Sequence, residues 1–125
     1  MNPWTIYDFV SPERNEIRVW LDRLPKKAGA KIDVRLRYLE TTQLWPEQYI
    51  SALTGCDDIY ELKIVSGGVQ YRPLGFYGPG RQEFTLVVGA VEKGGRLKPP
   101  AACPTAQQRM ETVYGDRNRI VQHQY

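Results

Sequence analysis

The chain has 125 residues, 42% apolar, 25% charged and 11% aromatic, with a formal net charge of +3 at pH 7, which suits a single domain over 1–125 with one modest core. No apolar run approaches the ~20 residues that span a bilayer. The opening MNPWTIYDFVSPER also lacks the basic flank and apolar stretch of a secretion signal, so a cytoplasmic protein with no membrane partner is expected.

WTIYDFV (4–10) alternates and is rich in β-formers, so it reads as a first strand. In SPERNEIRVWLDRLP, Ser11 suits a helix N-cap and Pro12 the first turn. Ile17, Trp20, Leu21 and Leu24 then form one apolar stripe. A second helix is predicted within 26–40, with Ala28, Ile32, Leu36 and Leu39 on one face and Lys27, Lys31, Arg35 and Arg37 elsewhere. The pair reads as an antiparallel helical hairpin. TTQLWPEQYISALTGCDD reads as an irregular or briefly helical connector with Leu44, Trp45 or Leu53 tucked against the core.

Three strand-like runs follow: IYELKIVS (59–66), VQYRPLGFYG (69–78) and QEFTLVVGAVEK (82–93). Gly67-Gly68 between the first two is a two-residue hairpin signal. Pro73 cannot donate to a ladder, so either the pairing bulges there or the register shifts. GGRLKPPAACP reads as a loop and TAQQRMETVYGDRNRIVQHQY as a helix capped by Thr105. The order predicts an α+β fold: an N-terminal strand, a helical hairpin, antiparallel β-strands and a C-terminal helix, with the helices on one face of the sheet. Cys56, Cys103 and His123 share no motif. No metal or cofactor is expected, and the thiols read as reduced and unpaired.

Charge is uneven along the chain. Residues 12–40 carry +3, residues 41–62 carry −4 with no cation, and residues 63–98 carry +4. A basic segment built around a sheet attracts a polyanion such as RNA. Folding at Gly67-Gly68 sets Lys63 roughly opposite Arg72, a like-charge arrangement that sheets normally avoid. A phosphate between the two cations relieves it. The plainer alternative is that Glu61 and Glu92 neutralise Lys63 and Arg72 as ordinary surface ion pairs.

The combination of WTIYDF, an early helix pair, YEL followed by a cation, and YR-x-L-x-FY resembles the RelE/HigB-like toxins of bacterial toxin–antitoxin systems. The run IYELKI…VQYRPLGFY…EKGGRLKP is most similar to the phage-derived, HigB-like branch of the RelE/ParE superfamily. The likeness covers roughly residues 4–110. It departs at Pro73, where relatives have an apolar strand residue, and in the glycine-rich VVGAVEKGG. The resemblance implies an mRNA endoribonuclease, commonly ribosome-dependent, that inhibits translation. It also implies a cognate antitoxin, often a helix-turn-helix protein, through which alone operator DNA is bound. It assigns catalysis to Lys63, Arg72, Lys93 and Arg96, and a proton-donating role to His123, since some relatives use a terminal His and Tyr.

Cleaving RNA requires deprotonation of a 2′-hydroxyl, stabilisation of charge on phosphorus and protonation of the leaving oxygen. Arginine suits the second task and a lysine beside another cation the first. Lys27, Lys31, Arg35, Arg81 and Lys98 are candidates for RNA contact, with a solvated surface as the alternative. Tyr71 and Tyr77 are candidates for base stacking, or simply good strand formers. Tyr114 is a further stacking or proton-donating candidate, or a helix packing residue. A toxin of this fold that binds DNA gyrase, as ParE relatives do, and an inactive member that only binds antitoxin are the competing readings.

Overall fold

The computed structural model describes residues 1–125. Strand β1 (Thr5–Phe9) leads into helices α1 (Glu16–Asp22) and α2 (Lys26–Glu40), and the connector contributes a short strand β2 (Ile50–Ala52). Each of the three predicted strand runs divides in two. Residues 59–66 give β3 (Tyr60–Leu62) and β4 (Ile64–Ser66), 69–78 give β5 (Val69–Tyr71) and β6 (Leu74–Tyr77), and 82–93 give β7 (Glu83–Val88) and β8 (Val91–Lys93). A strand β9 (Arg96–Lys98), helix α3 (Ala102–Gly115) and strand β10 (Ile120–Gln122) complete the chain.

The strands form a six-stranded sheet in the order β10-β1-β7-β6-β3-β2 and a four-stranded sheet in the order β4-β5-β8-β9. Only β1 and β7 pair in parallel. The divided runs keep the same neighbours in both sheets, so together they form one surface bent at Lys63, Arg72-Pro73 and Gly89-Ala90. Pro73 sits at this bend, where its missing N–H costs no ladder bond, and its carbonyl accepts from Leu62 N at 2.9 Å. Trp20 explains Gly89: a Cβ there would stand 2.0 Å from the indole.

Strand β7 is buried on both faces. Phe84 and Leu86 join Ile17, Leu21, Ile32, Leu36 and Leu39 of the helix pair in one core. Val87 and Val88 join Phe76, Ala102, Ala106 and Val113 in a second. The expected segregation of helices to one face is therefore corrected: α1 and α2 cover one side, α3 the other.

That placement also corrects the cysteine reading. With α3 docked by its first turn on the second core, Cys103 and Cys56 come together with their Cα atoms 5.8 Å apart and are joined as a disulfide. It closes a loop across 47 residues of separation, so Cys103→Ala is expected to lower stability by about 2–4 kcal/mol under non-reducing conditions. Urea unfolding with and without dithiothreitol checks this. An unchanged midpoint in both comparisons would mean the pair is not closed in solution.

The element ends differ from expectation for local reasons. Asn15, not Ser11, caps α1, accepting from Arg18 N at 2.8 Å. Ser11 Oγ instead accepts from the Glu13 and Arg14 amides in a turn ahead of the helix. Thr105 lies inside α3, which begins at Ala102. The helix stops at Gly115, and the tail continues as β10, antiparallel to β1. The predicted loop at 94–98 is a hairpin, with Gly94 and Gly95 at φ +57° and +76°, the values also found at Gly67 and Gly68.

Candidate nucleic-acid interface

The cations of the sequence reading lie mostly along the four-stranded sheet and the α2 flank beside it. Lys63 stands at the bend, its carbonyl accepting from Arg35 Nη1 at 2.8 Å and its Nζ directed at the Glu47 carbonyl at 3.4 Å. The Arg35 guanidinium also lies 3.7 Å from the centre of the Tyr49 ring. Lys31 Nζ reaches the Val65 carbonyl at 3.5 Å. Lys27, Lys31 and Arg35 line a groove of about 450 Å³ between α2 and β4, together with the exposed Val34 and Val65 and the buried Ile64. Lys31 and Arg35 thus hold an edge strand as well as presenting charge.

Continuing the register past the Ile64↔Tyr71 pair sets Lys63 opposite Arg72, but their charges diverge. Arg72 is buried. Its Nη1 donates to the Tyr71 carbonyl at 3.1 Å and its Nη2 to Gln70 Oε1. Its Nε, which makes no hydrogen bond, lies 3.8 Å from a Glu61 oxygen and 3.6 Å from a Glu92 oxygen. Burial holds the Glu61 carboxyl above the ordinary carboxylate range, against the pull of Arg72 and Lys63 and with a push from Glu92. Arg72 is therefore neutralised by the two carboxylates weighed in the sequence reading.

The uncompensated like-charge pair lies one hairpin away. Lys93 and Arg96 are direct cross-strand partners at the tip of β8–β9, both exposed. The ion pairs of the chain leave out Lys93, Arg96 and Lys98. Tyr71, by contrast, packs in the first core with its ring 6.4 Å from Trp20 and offers no face for a base, which corrects its assignment to stacking. Arg81 sits in the turn between β6 and β7, at the end of those strands away from the bend.

A family model described as phage derived protein Gp49-like (DUF891) matches residues 19–111. The chain belongs to this Gp49-like family. Among solved structures it is similar to a double arginine-to-alanine mutant of the E. coli toxin RelE in the free state. The match has 13% identity and a TM-score of 0.52, and it covers 90% of this chain and 99% of that one. The Gp49-like chain therefore has the RelE fold, as the resemblance implied. No curated protein matches it.

In this Gp49-like chain His123 does not join the basic cluster. It is buried, with Nδ1 2.8 Å from Asp8 Oδ1 and Nε2 2.9 Å from Asp33 Oδ1. Asp33 and Arg35, two residues apart on α2, point to opposite flanks of the helix, so α2 stands between His123 and Lys63. Both ring nitrogens are occupied, which corrects its reading as a proton donor to RNA. Burial opposes its charge, but hydrogen bonds and attraction from Asp8 and Asp33 win, and its pKa is raised. Neither aspartate was legible as a partner, since each is far from His123 in sequence.

Proposed function

We propose that this Gp49-like chain is the toxin of a toxin–antitoxin pair and acts as an endoribonuclease on mRNA at the ribosome. The observation that carries the reading is the opposed pair Lys93/Arg96, left without carboxylate partners on the same four-stranded sheet that Lys63 and Lys98 border. Unpaired cations at such spacing suit the phosphates of one strand. In this reading Lys63, at the bend beside Glu61, stabilises charge developing on phosphorus, and Lys93 and Arg96, which the register sets on the other face of the sheet, hold phosphates farther along the strand. Glu61, a carboxyl held above its ordinary range at the bend, takes the 2′-hydroxyl proton as the 2′-oxygen bonds to phosphorus, and the departing 5′-oxygen takes a proton from water. Arg72 orients Glu61, and Lys27, Lys31 and Arg35 extend the contact to ribosomal RNA. An antitoxin of the helix-turn-helix class would neutralise the toxin and carry it to operator DNA.

A second reading has its own support. With Arg72 neutralised by Glu61 and Glu92, the sheet lacks a free buried arginine, as expected of a toxin that binds a protein such as gyrase or of a member that only binds antitoxin.

The test is induced expression in a bacterial host without antitoxin, following growth and mapping transcript 5′ ends. Wild type is compared with Lys63→Ala, Arg72→Ala and Lys93→Ala/Arg96→Ala, each checked for folding by circular dichroism. Growth arrest with new message cleavages is expected, with cleavage reduced about 10²-fold in the folded variants. Arrest with intact messages would favour a protein target. Soluble, folded wild type without arrest would favour the antitoxin-binding member.

A further inference from the structure

A cleft of about 340 Å³ lies where β3, β6 and α3 meet, away from the basic sheet, and is lined by Asp58, Tyr60, Phe76, Tyr77, Met110 and Tyr114. Its aromatic walls are fixed. The Tyr60 and Tyr77 rings meet edge to face at 4.8 Å, and Phe76 and Tyr114 lie 5.4 Å apart. Tyr114 is held over the backbone of Gly78, where a Cβ would stand 2.5 Å from its hydroxyl oxygen, and that hydroxyl donates to the Tyr77 carbonyl at 3.5 Å. Yet Tyr77 is 38% and Tyr114 58% exposed. The Tyr77 ring is packed among Trp4, Trp45 and Phe84, so the ring most open to solvent in the cleft is that of Tyr114.

The charge around the cleft has one sign. No cation lines it, and the chain's ion pairs leave Asp58 out. Asp58 belongs to the acidic stretch 41–62, which contains no Lys or Arg. Aromatic faces carry negative potential, and a carboxylate beside them adds to it. A nucleotide brings a phosphate that this environment repels. A guanidinium stacks on a ring face while donating to a carboxylate.

We propose that this cleft binds a cationic side chain, an arginine or a lysine, of a protein partner. The site lies on the same strand run as the basic bend, with Tyr60 three residues before Lys63, roughly 10 Å along the chain. A protein held there and an RNA strand on the sheet would occupy different surfaces, so this inference does not depend on ribonuclease activity.

The probe is Nα-acetyl-arginine amide, titrated into the full-length ¹⁵N-labelled chain, with the neutral isostere Nα-acetyl-citrulline amide and GMP as comparisons. Saturable shifts are expected at the Asp58, Tyr60, Tyr77 and Tyr114 amides. Binding should be weakened about tenfold for the citrulline compound and for Asp58→Asn, the loss of one charge-assisted contact. Asn tolerates the left-handed backbone at position 58, where φ is +64°, so that variant keeps the fold. Absence of saturable shifts would overturn the proposal, as would equal binding of both amides or of Asp58→Asn. Shifts of the same amides by GMP but not by the arginine compound would overturn it in favour of a nucleobase site.

Discussion

Phe84→Ala is expected to lower the unfolding free energy by about 3–5 kcal/mol, the cost of emptying a well-packed aromatic site. Phe84 is fully buried and central to the aromatic cluster: its ring lies 5.1 Å from Trp45 and 5.1 Å from Tyr77, which in turn contacts Trp4 at 5.5 Å. The ring also covers Gly75, where a Cβ would meet it at 2.5 Å. Because Gly75 has no side chain to move into the void, the site cannot collapse cheaply. The same Gly75 Cβ would stand 2.5 Å from the Thr85 carbonyl, so refilling from that side clashes with backbone. Urea unfolding followed by tryptophan fluorescence reads the change, since Trp4 and Trp45 report on this cluster. A loss under about 1 kcal/mol would mean the neighbours repack and the cluster is softer than its geometry implies.

The helix pair was the most legible part of the chain, because its information is periodic. Ile17 and Leu21 on α1, and Ala28, Ile32, Leu36 and Leu39 on α2, are all buried as their spacing requires. The three strand runs were legible as β-structure but not as bent. A period-two pattern runs unbroken through Lys63, and nothing local says that Leu62 and Ile64 belong to different sheets. Pro73 was the one clue. The hairpin at Gly94-Gly95 has the same turn as Gly67-Gly68, but KPPAACP after it reads as loop and masked the short strand Arg96–Lys98. Strand β10 was missed because Ile120–Gln122 is too short to outweigh a helical reading, and only its pairing with β1 defines it.

The site was less legible than the fold, for a reason visible at Arg72. The hairpin count did set Arg72 against Lys63, but what a charge does depends on the groups that surround it in space. Glu61 follows from the same strand, whereas Glu92 arrives on β8, and together they turn an expected phosphate ligand into the centre of an ion-pair cluster. The exposed like-charge pair was on the next hairpin, at Lys93 and Arg96. The disulfide is the same kind of case: neither Cys56 nor Cys103 has a neighbour that marks it, and only the docking of α3 brings them together.

His123→Ala is expected to cost about 3–5 kcal/mol at pH 6, because it leaves a buried carboxylate without its partner. Asp8 is 1% exposed and would keep only the Asn15 amide, at 3.0 Å. The imidazole also ties β1 to α2 through Asp8 and Asp33, while the His123 backbone N–H donates to the Ile6 carbonyl at 2.9 Å. Tyr125 packs edge-on against the ring at 4.9 Å, itself beneath the Arg37 guanidinium. The pH dependence follows from the raised pKa. The folded protein holds the proton more tightly than the unfolded chain, whose histidine titrates near the ordinary 6.5. The resulting stabilisation is complete below that value and is lost as pH rises through the folded pKa. Wild type should therefore weaken between pH 6 and pH 9, and His123→Asn should lack that component. The Tyr125 hydroxyl, raised from its ordinary 10.0, titrates above this window, and the paired cysteines do not titrate. Urea midpoints for both proteins at pH 6, 7.5 and 9 make the comparison. Parallel pH profiles would show that His123 is neutral in the fold and that the two aspartates do not hold a charge on it.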